Sequence, residues 1–138
     1  MTNPNNTSLG YSVILSLPFQ EVVERVSVEL QKDGFGVITT IDMQAKIKEK
    51  LSKDIEEYII LGVCNPNLAY QALQKEKETG LLLPCNVIVY REKNGIVVTT
   101  IRPSTVMGVI NNPELAKIAL EAEMKLISAV DRMNDREE

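Results

Sequence analysis

A chain of 138 residues, 44% of them hydrophobic, is sized for one domain with a core of its own. Its net charge of −4 argues against nucleic acid or an anionic membrane as partner, and the absence of histidine excludes His-based triads, His-ligated zinc and imidazole general bases. No apolar run reaches the ~18 residues of a membrane span, and the polar start "MTNPNNTSLG" is unlike a signal peptide, so a cytoplasmic location is expected.

In chain order, residues 1–8 read as a flexible tail, 9–133 as a single domain and 134–138 as a frayed acidic end. "YSVILSL" is a β-branched, apolar first strand. Pro18 then suits the first turn of a helix whose buried face is Phe19, Val22, Val23, Val26 and Leu30. Glu21, Glu24, Arg25 and Glu29 fall largely opposite, and Asp33-Gly34 ends the helix. "FGVITTI" is the second strand. Asp42 caps a short helix with a buried stripe of Met43, Ile47 and Leu51. "YIILGV" is continuously apolar, as in a strand at the centre of a sheet.

Asn65 is a good N-cap and Pro66 a good first residue for the next helix, which carries Leu68, Ala69, Ala72 and Leu73 on its apolar face and stops at Gly80. "PCNVIVYRE" and "IVVTTIR" form a hairpin across Asn94-Gly95, for which a type I′ turn is expected. "STVMGVI", residues 104–110, reads as an apolar loop that plugs or lines the open end of the sheet. The last helix opens at Asn112-Pro113-Glu114 and turns Leu115, Ile118, Ala119, Ala122, Leu126, Ala129, Val130 and Met133 inward. The order β-α-β-α-β-α-β-β-α predicts an α+β fold: a curved, largely antiparallel sheet of about five strands with helices on one face.

The chemistry-bearing residues are few. Cys64 lies one residue before a helix cap, where unpaired N–H groups and the helix dipole favour a thiolate. Equally, cysteine is a small, readily buried residue at a strand end. Cys85 shares a strand face with Val87 and Val89, whereas Asn86, Ile88 and Tyr90 face the other way. If the strands flanking the helix at Pro66 are parallel, the two thiols sit at opposite ends, roughly 15 Å or more apart. If antiparallel, both reach the same end. A closed zinc site needs four ligands, which these thiolates could supply only across a homodimer axis, so no metal is assigned. The glycines form neither GxGxxG nor GxxxxGK[ST], so no phosphate loop is present.

"ILGVCNPNLAYQAL" together with "GLLLPCNVIVY" resembles the central signature of the domain-of-unknown-function family three hundred and two. The resemblance runs from about Tyr11 to Met133 and takes in Gly34, Phe35, Val37, Ile41 and Asp42. It implies a compact α+β domain similar to the TATA-box-binding-protein-like arrangement, and a homodimer. It implies no activity, and many relatives carry Gly-Asn-Pro where this chain has Cys64-Asn65-Pro66. The function expected is a binding module for a small apolar ligand or an unidentified cofactor. Its site would draw on Cys64, Asn65, Cys85, Asn86, Val106, Met107 and Ile110. Two alternatives stand beside it: a thiol redox or sulfur-transfer protein using Cys64 and Cys85, with Cys64 as nucleophile, and a structural homodimeric interaction module.

Overall fold

Period-two alternation gives five strands, and period-3.6 stripes give the helices that cover one side of them. The computed structural model describes residues 6–136. The order is β1 (Gly10–Leu15), α1 (Phe19–Lys32), β2 (Gly36–Asp42), α2 (Met43–Leu51), β3 (Tyr58–Cys64), α3 (Pro66–Lys75), a 3-10 segment (Lys77–Leu82), β4 (Cys85–Glu92), β5 (Gly95–Ile101), α4 (Pro103–Met107) and α5 (Pro113–Arg136). The fold is α+β, with one open sheet in the order β1-β5-β4-β3-β2 and every neighbouring pair antiparallel.

Val13, Leu15, Leu61, Val63, Val87, Val89, Ile96 and Val98 form the strands' share of the buried core. Helix α1 adds Phe19, Val22, Val26 and Leu30, and α5 adds Ala122, Leu126, Ala129, Val130 and Met133. A smaller cluster of Ala72, Met107, Leu115 and Ala119 packs where α3, α4 and α5 meet. Helix α1 closes with Gly34 at φ 85, the Phe35 N–H donating to Leu30 O and the Gly34 N–H to Gln31 O. That pair of bonds is a Schellman cap, and it needs a residue tolerant of positive φ.

Several expectations are corrected here. Glu29 does not lie on the wet side of α1: it is 1% exposed, because Arg132 reaches across from α5. The α2 stripe is not buried; Leu51 is exposed, and Met43 and Ile47 are only half-buried. The hairpin centres on Lys93 and Asn94, since Glu92 pairs with Gly95. Neither central residue has positive φ, so the turn is not type I′. Residues 104–107 of the expected loop belong to a helix, α4, whose first turn is capped by Glu123: its carboxylate accepts from the Ser104 N–H at 2.9 Å.

At the ends, the described part of the amino-terminal segment is tied down. Asn6 Oδ1 accepts from the Ser12 N–H at 2.6 Å, and Arg102 Nε donates to Thr7 O at 2.9 Å. Residues 1–5 of the expected tail lie outside the described residues, and helix α5 continues through Arg136.

Candidate functional site

Cys85 opens β4 and is 7% exposed, on the helix-covered face directly opposite Val63 of β3. Cys64 ends β3 one residue later and is half-buried. Because β3 and β4 are antiparallel, both thiols lie at the same end of the sheet. Both line a single cavity of about 30 Å³, and both are free thiols.

That cavity is a seam between the two core clusters. Phe35, Val63 and Leu68 border it from the main cluster, and Met107 and Leu83 from the side of α4 and the 3-10 segment. The helices that face each other over it present Ala69 and Ala72 from α3 and Ala119 and Ala122 from α5. Four alanines are too small to close the gap left where the helices diverge from the sheet. This is the sequence signal that marks the site, and reading those alanines only as a helix face passes over it. The lining is almost wholly apolar apart from the thiols and Asn65.

Asn65 has its hydrogen bonds committed. Its side-chain carbonyl accepts from the Leu68 N–H at 3.2 Å, capping α3, and its amide donates to Asp33 O at 3.4 Å. Gly34 leaves room for this, since a Cβ there would stand 3.0 Å from the Asn65 amide nitrogen. Burial pushes the Cys85 thiol up to about 11, with neighbouring Cys64 adding to the shift. Cys85 is therefore protonated near neutral pH and is no free nucleophile.

The other expected site residues separate. Met107 borders the cavity, whereas Val106 and Ile110 pack on the smaller core cluster. Ile110 also lines a separate groove between α4 and the start of α5. Asn86 is exposed on the opposite face of the sheet, in a shallow depression of about 230 Å³ with Leu9, Ile88, Thr99 and Ile101. Strand alternation places Asn86 away from Cys85, so one site does not hold both. That depression is larger than the thiol cavity but carries no nucleophile or acid. The thiol cavity is the better candidate, because an apolar wall and the chain's two thiols coincide there.

Two buried carboxylates escape any reading of the sequence. Glu29 Oε1 accepts from Arg132 Nε at 2.9 Å, and Lys32 Nζ lies 3.1 Å from Oε2. Arg132 further donates to Asp33 Oδ2 at 2.7 Å and to Glu29 O at 2.9 Å. Burial works to raise the Glu29 pKa, but hydrogen bonds from Arg132 and Lys32 outweigh it and hold the carboxyl below its usual range. Glu123, 8% exposed, accepts from Ser104 and pairs with Arg102. The first cluster ties α5 to the end of α1 and the second ties α5 to the start of α4, and none of these residues lines the thiol cavity; no group of three or more Cys, Asp or Glu among the described residues is arranged to hold a metal.

Residues 11–133 match the family model described as "Domain of unknown function DUF302". The chain is similar to a solved structure, the "uncharacterized conserved protein DUF302 from Bacillus stearothermophilus". The two are 32% identical with a TM-score of 0.84, over 89% of this chain and 96% of the other. No curated protein matches the chain in sequence.

Proposed function

The chain belongs to the DUF302 family, whose description carries no activity, and from that premise we propose that it is a binding module with its ligand site at the thiol cavity. The observation that carries this reading is that Cys64 and Cys85 both line one apolar cavity at a single end of the sheet. A cavity of about 30 Å³ admits one or two atoms of solvent size, well short of the ~150 Å³ that holds a benzene ring. A ligand held wholly inside that space is an ion or a molecule of a few atoms. Catalysis by Cys64 is the weaker reading, because no base or acid borders the cavity to activate it or to take up a proton. The test is protection: Cys64 is expected to alkylate several-fold more slowly in fresh extract than in the ligand-stripped chain, and equal rates remove the reading.

A second observation favours a homodimer. On the face of the sheet turned away from α1 and α5, two registered rows hold no charged residue; Val97 and Ser12 in them are already buried and the other six are half-buried. One runs Ile14, Val97, Tyr90, Tyr58 and the other Ser12, Thr99, Ile88, Ile60. Tyr58 and Tyr90 stack at 5.3 Å, forming a flat aromatic ledge. At about 4.8 Å between strands and about 3.3 Å per residue these two rows span roughly 250 Å² and the whole five-stranded face roughly 500 Å². Two copies stacked through it would bury about the 1,000 Å² that a specific interface needs. A second copy fits because neither side desolvates a charge in these rows. Light scattering is expected to give twice the 15.4 kDa chain mass, falling to a single chain in Ile88→Lys. A wild-type chain that stays monomeric at high concentration removes this part.

A further inference from the structure

We propose that two copies of this chain stack sheet to sheet about a two-fold axis that runs across the strands along the row of Ile88, so that the tyrosine ledge of each copy closes over the Asn86 end of the other. The inference rests on the homodimer reading and fixes how the copies meet.

Three registered rows cross the face that carries Ile88. The middle row runs Ser12, Thr99, Ile88 and Ile60, and ends on the edge strand β2 at Ile41, which is 41% exposed. The rows on either side of it differ in bulk. On one side stand Ile14, Val97, Tyr90 and Tyr58, with the two rings stacked. On the other stand Gly10, paired with Ile101, and Gly62, paired with Asn86. Val87 pairs with Thr100, which sets Asn86 beside Ile101 between the two glycines. Gly10, Ile101 and Asn86 line the depression of about 230 Å³, and Ile88 and Thr99 of the middle row line it with them. A tall row and a low row therefore lie equally far from the middle one.

The two-fold axis between stacked faces lies in the plane of the interface. If it ran along the strands, each row would face itself. The two ledges would then hold the sheets apart, and the two hollows would leave an unfilled space between them, against the close packing of a stable interface. An axis across the strands sets the middle row against itself and each tall row against a low one. The partner's Tyr90 comes over Asn86, and the partner's Ile14 over Gly10. The strands of the two sheets then run antiparallel, within the ~30° of aligned sheet packing. A second copy is the occupant that meets this condition, because an isologous contact requires a patch whose two halves complement each other about one line. None of the three rows brings a charged side chain to the contact, so no ion is buried unpaired.

The experiment links cysteines placed at Asn86 and Glu92, both exposed on β4. Stacked sheets lie about 10 Å apart, and in the proposed arrangement positions 86 and 92 of opposite copies are offset by only about 7 Å along the strand. The two positions 86 are offset by about 13 Å, and the two positions 92 by about twice that. A thiol-to-thiol linker of about 10 Å reach, added to an equal mixture of the Asn86→Cys and Glu92→Cys chains, is expected to join position 86 to position 92. Peptide masses locate the link and separate it from any made by the native thiols. Neither variant alone should be linked to itself at these positions. A link between the two positions 86 in the Asn86→Cys chain means that hollow faces hollow, and overturns the proposal. So does a mixture that stays unlinked at these positions while light scattering shows two chains. If light scattering shows a single chain, the homodimer reading falls and this inference falls with it.

Discussion

Replacing Arg132 by Leu is expected to destabilise the protein by about 3 kcal/mol, the largest effect of any exchange remote from the thiol cavity. The guanidinium ties α5 to the end of α1 through Glu29 Oε1, Glu29 O and Asp33 Oδ2. Removing it takes the Arg132 hydrogen bonds from a carboxylate that is 1% exposed, with Lys32 still 3.1 Å away. Breaking one side of a buried ion pair costs about 3–5 kcal/mol, and the residual pull of Lys32 and the partial exposure of Arg132 place this case at the low end. Urea denaturation at neutral pH reads the loss directly. The double change Glu29→Met with Arg132→Met should recover most of it, since two packed apolar side chains need no partner.

The pH dependence carries a sign that separates this from lost packing alone. Glu29 has its folded-state pKa lowered, so its contribution is present above the unfolded carboxylate value of about 4.3 and is lost as pH falls through the folded value. The stability gap between wild type and Arg132→Leu should therefore shrink as the buffer is taken below about pH 4. A gap that is constant with pH would mean that Arg132 acts only through its methylenes.

The second large effect is at Gly62. A Cβ there would meet Pro84 Cγ at 2.8 Å and Thr39 Oγ1 at 2.1 Å. Thr39 is exposed and can turn away, but the Pro84 ring is part of the chain and cannot. Gly62→Val is expected to cost about 3 kcal/mol through overpacking and the backbone shift it forces. Pro84 precedes Cys85, so the same shift should loosen the buried thiol and let it alkylate in the native state. A variant with wild-type stability and a Cys85 that stays unlabelled would show that the Pro84 contact is soft. This links a glycine in β3 to the thiol on the neighbouring strand.

Most of the architecture was legible in the sequence because its signals are local. Pro66 behind Asn65, Gly34 behind α1 and the apolar stripe of α5 each specify one element. What was not legible depends on partners distant in sequence. Glu29 and Glu123 carry the signature of exposed acids, and only Arg132, 103 positions away, and Ser104, 19 positions away, make burial affordable. Met43, Ile47 and Leu51 have helical spacing, yet spacing cannot say whether another element lies against them, and none buries them.

The site was half legible for the same reason. Cys64 and Cys85 stand out as candidates in a chain without histidine, but their proximity follows from the antiparallel pairing of β3 with β4, which leaves no mark near either residue. Alternation along β4 does separate Asn86 from Cys85, and assigning both to one site overlooked it. Met107 reads as part of an apolar loop; the turn of helix α4 is what brings it to the cavity wall.

The most direct measurement is the alkylation rate of Cys64 in extract lysed straight into a thiol reagent, set against the rate in the same chain after chelation, reduction and desalting. An occupied thiol cavity predicts at least a several-fold slower rate in the fresh extract, with the buried Cys85 unlabelled in both until the chain is unfolded. Identical Cys64 rates in the two preparations would contradict it.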